Sequence, residues 1–139
     1  MKLKKCMPIA IALLSVSLFS TTTMAASAQD QVPAAAKSVT NPVDAEIDMK
    51  TVKKKLYKRC KNCHGKKGDG KTAAAKDMDV KPPNWATGSD LTDGELYWLI
   101  MNGSKDTEMV GYENHKKKKK RLNAEEAWTL VHYIRAFAK

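Results

Sequence analysis

Apolar and polar positions alternate at helical spacing in three stretches of this chain, and no stretch alternates at the two-residue period of a strand. Over residues 44–61, Ile47, Val52, Leu56 and Cys60 recur near the helical period with lysines between them. A second helix is predicted over 92–103. Thr92-Asp93-Gly94-Glu95 has the form of a capping box, Leu96, Leu99 and Ile100 supply the apolar positions, and Gly103 ends the run. The third opens at Asn123, with Glu126 three residues on, and carries Ala127, Leu130, Val131, Ile134 and Phe137 on one face. Residues 65–91 form a long connection rich in Gly, Lys, Ala and Pro. In a small domain such a loop is usually functional. The expected fold class is all-α.

The chain ahead of the first helix has two parts. Residues 1–5 carry three lysines and no acid, residues 9–19 are an apolar run, and Ala25, Ala26, Ser27 and Ala28 are small. That order describes a secretory signal peptide over residues 1–28, cut after Ala25 or Ala28. The apolar run falls short of the roughly 20 residues that cross a bilayer, so no stable membrane span is expected after cleavage, and the periplasm is the expected compartment. Residues 29–43 mix Ala, Ser, Thr, Asn, Gln and Pro without a period and are predicted to be a flexible lead-in. The folded domain is expected over residues 44–139.

Charge narrows the partners. The chain has 25 basic and 15 acidic residues, a net +10. Losing Lys2, Lys4 and Lys5 with the signal leaves an excess of about seven. An exported protein rarely meets nucleic acid, so none is expected as a partner. A basic face that docks acidic protein surfaces suits the compartment better.

Cys6 lies ahead of the apolar run, so the exported chain keeps Cys60 and Cys63. Cys60-Lys61-Asn62-Cys63-His64 is CxxCH, the attachment signature of c-type haem. Two thiols at this spacing can each add to one vinyl group of a single porphyrin, and the adjacent histidine then lies under the iron. The motif occurs once, which argues for one haem c per chain. A redox dithiol, a zinc site and a plain disulfide are the competing uses of these cysteines. The first lacks a βαβ pattern and the second lacks a fourth ligand. A domain of about 95 residues with few aromatics buries little apolar surface alone, and a bound haem would supplement that core.

From residue 52 to 137 the chain resembles a bacterial class I monohaem cytochrome c. The residues that carry the resemblance are Leu56-Tyr57, Cys60 to Gly65, Gly68-Asp69-Gly70, and Lys81-Pro82-Pro83-Asn84. Leu91 to Tyr97, Ile100-Met101-Asn102-Gly103 and Trp128 to Arg135 complete it. The resemblance implies three to four helices wrapped around one covalent haem. Its N- and C-terminal helices cross, bringing Leu56 and Tyr57 against Val131, Tyr133 and Ile134.

Six residues of the exported chain are candidates for the iron's sixth position: Met49, Met78, Met101, Met109, His115 and His132. The resemblance implies Met109, in a loop after Gly103, although Val110-Gly111-Tyr112 replaces the proline-containing continuation usual in the family. It also implies that the Pro82-Pro83 segment supplies a carbonyl to the second ring nitrogen of His64. Trp85 is a candidate donor to a haem propionate or a simple packing residue, and Tyr97 and Trp98 are candidate walls of the haem pocket. Residues 116–121, five lysines and an arginine, are either a solvated loop or part of the docking face. The function expected is single-electron transfer between redox proteins. A haem enzyme or sensor with an open sixth position is the alternative, as is the haem subunit of a larger oxidoreductase.

Overall fold

The computed structural model describes residues 28–43 and 46–139. The expected signal peptide lies outside them, apart from Ala28. The described residues form α1 (Ala34–Lys37), α2 (Met49–Thr51), α3 (Lys61–His64), α4 (Ala73–Lys76), α5 (Asp93–Asn102) and α6 (Ala124–Arg135), joined by 3-10 turns and loops. No strand occurs among them; Gly103 and Val110 form one isolated antiparallel bridge.

Helices α5 and α6 start where their capping boxes predict. Thr92 accepts from the Glu95 N–H and Glu95 reciprocates, and Asn123 and Glu126 do the same for α6. Each pair satisfies two N–H groups that a helix start leaves without partners. α5 stops because Gly103 takes a φ of 85°, which side chains resist; a Cβ there would also lie 2.6 Å from the Met109 carbonyl oxygen. α6 buries Ala127, Trp128, Leu130, Val131, Tyr133 and Ile134. Its last residue, Arg135, clamps the start of α5: Nε donates to Asp93 at 2.8 Å, and the guanidinium also donates to the Ser89 and Leu91 carbonyls.

The first predicted helix begins late and changes type. Asp48 caps it by accepting from Lys50 N–H and Thr51 Oγ1, so α2 opens at Met49 rather than at residue 44. A π-helical turn over Val52–Leu56 and a 3-10 turn over Tyr57–Arg59 then lead into α3. The cause lies in the spacing of what is buried. Val52 and Tyr57 are both buried yet five apart, and a π turn, with its extra residue, brings positions i and i+5 to one side. Tyr57 packs its ring 4.9 Å from Tyr133 and 5.2 Å from Phe137, and Leu56, Val131 and Ile134 join the same cluster. The N- and C-terminal helical segments therefore meet as expected.

Residues 29–43 are not a loose lead-in. Ala28–Gln31 is a 3-10 turn, Val32 is buried, and α1 lies across α5. The approach is close because position 94 has no side chain: a Cβ on Gly94 would overlap the Ala36 carbonyl. Lys37 pairs with the buried Glu95 at 3.7 Å, and Asn41 donates to the Trp128 carbonyl at 3.0 Å. Low hydrophobicity suggested a linker, but the segment docks through backbone contact and polar side chains. The long 65–91 connection is likewise folded on itself. Thr72 caps α4, Asn84 caps a 3-10 turn at Trp85–Thr87, and Trp85 N–H donates to Gly68 at 2.7 Å.

Candidate functional site

One cavity of about 650 Å³ opens in the middle of the molecule, within the range of about 300–1,000 Å³ usual for cofactor sites. Its walls come from most elements of the chain. The 49–64 segment contributes Arg59, Cys60, Asn62, Cys63 and His64. α5 contributes Leu96, Leu99 and Ile100 at i, i+3, i+4 spacing, and α6 contributes Leu130 and Ile134. Pro82, Pro83 and Trp85 line it from the 65–91 loop, and Met109, Val110 and Tyr112 from the loop after α5.

Cys60 and Cys63 are free thiols, both partly buried. Burial pushes the Cys60 thiol up to about 12, which keeps it protonated at ordinary pH. No group of three or more His, Cys, Asp or Glu suited to a metal ion occurs among the described residues. His64 is buried, and burial pushes its imidazole down to about 4, so the ring is neutral at ordinary pH. Its Nδ1 has no hydrogen-bond partner, and neither does Trp85 Nε1. Such buried orphan groups are costly in a finished interior and mark a place where a further partner belongs. The two rings stack, with centroids 4.1 Å apart and planes within 8°.

Most of the predicted site residues converge. Cys60, Cys63, His64, Pro82, Pro83, Trp85 and Met109 all line this cavity. Pro82 and Pro83 do not meet the expectation of a carbonyl on His64, whose Nδ1 stays unpaired. Trp85 packs flat on the imidazole. Tyr97 and Trp98 are not walls. They lie off the i, i+3, i+4 face of α5, and Tyr97 stacks instead on Trp128 at 4.1 Å.

Of the six sixth-position candidates, Met78 and Met109 reach the cavity. Met101 is core, Met49 is exposed, His115 accepts from Lys117 N–H, and His132 bonds the Val43 carbonyl. Tyr112 is a lining residue that sequence reasoning missed. Its hydroxyl donates to the Arg59 carbonyl at 3.3 Å, fastening the Met109 loop beside Cys60, and burial pushes its own ionisation up to about 12. An aromatic three residues past the candidate methionine was the available signal.

Residues 54–138 match the Cytochrome c family, well over half of the chain. The chain belongs to the cytochrome c family. It is a class I cytochrome c with the small all-α fold, from a family that binds haem c covalently. A solved structure of similar fold belongs to the reducing HAO-like protein complex of Kuenenia stuttgartiensis, with a TM-score of 0.55 and 23% identity. The likeness covers 70% of this cytochrome chain and about half, 50%, of that one. Among curated proteins none matches. The residues around the cavity fit the family's covalent haem c: two free thiols, a buried neutral imidazole, and walls of Leu, Ile, Val and Pro. No helix among the described residues is long and apolar enough to cross a membrane.

Proposed function

We propose that this cytochrome is a periplasmic carrier with one haem, moving single electrons between redox proteins. The carrying observation is that Cys60, Cys63, His64 and Met109 open onto one apolar chamber. In this reading Cys60 and Cys63 form the two thioethers, each by adding its S–H across a vinyl group. His64 is the proximal ligand and Met109 the sixth. The bound haem supplies an iron that cycles between ferrous and ferric states.

The chain's own residues account for the rest. Burial keeps His64 neutral and ready to donate a lone pair. The hydrocarbon walls from α5 and α6 exclude water, and together with a soft thioether they favour the ferrous form and raise the reduction potential. Filling the sixth position from within the chain leaves no open site for oxygen or peroxide, which suits transfer rather than catalysis. The single CxxCH supports one haem. The three lysines of residues 1–5, the apolar run at 9–19 and the small residues before Gln29 support export.

The test is a visible spectrum of protein matured in a host that attaches haem c, with Met109→Ala and Met78→Ala alongside. Expected is a low-spin spectrum whose oxidised form shows the weak red-edge band of methionine–iron bonding. Met109→Ala should remove that band and lower the potential, and Met78→Ala should leave both. A high-spin spectrum that shifts with carbon monoxide would instead indicate an enzyme or sensor, and a copurifying protein a larger oxidoreductase.

The exposed lysines at 116–120 are read as part of a docking face for acidic partners. Replacing them with Gln should slow electron exchange with an acidic redox protein at low salt and flatten its salt dependence. Unchanged rates would leave the run as ordinary surface.

A further inference from the structure

The 28–43 segment grips the loop that carries Met109 through one side chain. Gln31 lays its carboxamide along the Lys105 peptide: Nε2 donates to the Lys105 carbonyl at 3.2 Å, and Oε1 accepts from the Lys105 N–H at 2.6 Å. Ser104 Oγ donates to the same Oε1 at 3.4 Å. Ser104 and Met109 belong to one closed turn. Ser104 N–H donates to the Met109 carbonyl at 2.9 Å, and Thr107 Oγ1 both donates to Ser104 and accepts from Met109 N–H. Whatever holds Ser104 and Lys105 therefore holds Met109.

The other end of this connection is fixed. Val32 is buried, Ala36 lies against Gly94, and Asn41 bonds Trp128 on α6. Gln31 thus links an exposed loop to a segment anchored on both long helices. Ala28 and Gln29, just before it, line the cavity itself.

We propose that Gln31 is a positioning residue for Met109, limiting how often its sulfur leaves the iron and so keeping small ligands off it. The proposal rests on Met109 as the sixth ligand. A competing ligand binds with an apparent affinity scaled by the fraction of molecules whose sixth position is open. Losing these two or three neutral hydrogen bonds should raise that fraction about tenfold.

The experiment uses the haem-loaded chain and its Gln31→Ala, Gln31→Glu, Met109→Ala and Gln31→Ala/Met109→Ala variants. Carbon monoxide is titrated into reduced protein, and the red-edge band of oxidised protein is followed on heating beside far-ultraviolet circular dichroism. Expected for Gln31→Ala is about tenfold tighter carbon monoxide binding, with the band lost at a lower temperature while the helix melt barely moves. Gln31→Glu keeps the acceptor for Lys105 N–H and should fall between. Adding Gln31→Ala to Met109→Ala should change nothing further.

If Gln31→Ala matches the parent while Met109→Ala abolishes the band, the positioning role is wrong and the ligand reading survives. A band and helix melt that fall together would also overturn it, reducing Gln31 to general stability. If Met109→Ala retains the band, the ligand reading fails and this proposal falls with it.

Discussion

Two helical segments face each other across the core, and they are built differently. α6 is a regular helix of 12 residues with a capping box at its start, and it buries six side chains. The 49–64 segment changes helix type three times and buries only Val52, Tyr57 and His64, its lysines standing in solvent. The contrast follows from what each packs against. α6 gives Leu130 and Ile134 to the cavity wall and packs Ala127, Trp128, Val131 and Tyr133 in the core, so most of its apolar stripe is complete in the chain's own residues. The inner side of 49–64 opens onto the cavity, where Cys60, Cys63 and His64 await a partner that is not polypeptide. A helix whose partner is a cofactor looks underfilled when judged by side chains alone.

The sharpest way to break this comparison is to take the cofactor away. Cys60→Ser/Cys63→Ser, purified without haem, should be largely unfolded, because an empty cavity of about 650 Å³ cannot be offset by so small a core. Native-like circular dichroism with a cooperative melt would mean that α5, α6 and the docked 28–43 segment suffice. Within the loaded protein the next largest effect is expected from α6. Leu130 is 0% exposed, and Leu130→Ala should cost about 3 kcal/mol in denaturant unfolding while leaving the spectrum low-spin. The smallest belongs to 49–64. Tyr57 donates its hydroxyl to the Gly65 carbonyl at 2.7 Å inside the core, so Tyr57→Phe should cost about 1–2 kcal/mol by the same measurement. A loss as large as that of Leu130→Ala would show that 49–64 also stands on its own packing.

The same contrast explains what could be read in advance. α5 and α6 were legible because Thr92/Glu95 and Asn123/Glu126 mark their starts and Gly103 marks an end, all through local chemistry. The cavity residues were legible because CxxCH fixes Cys60, Cys63 and His64 together. The π turn was not. Ile47, Val52, Leu56 and Cys60 average close to a helical period, and only the joint burial of Val52 and Tyr57 reveals the extra residue. The docking of 28–43 escaped because it depends on the missing side chain at Gly94, outside the segment, and on the reach of Gln31 to residue 105, which no periodicity records. Tyr97 and Trp98 were placed by residue type, whereas the face chosen by Leu96, Leu99 and Ile100 turns them away.

The π turn at Val52–Leu56 divides the tolerance of this segment to insertions and deletions. Ahead of Val52, gaining or losing one residue alters only where the chain enters the helix. Beyond Tyr57, each added residue would rotate everything after it by about 100° and swing both thiols away from the chamber. Length variation should therefore collect at or before the π turn, leaving the eight positions from Tyr57 to His64 with a fixed count.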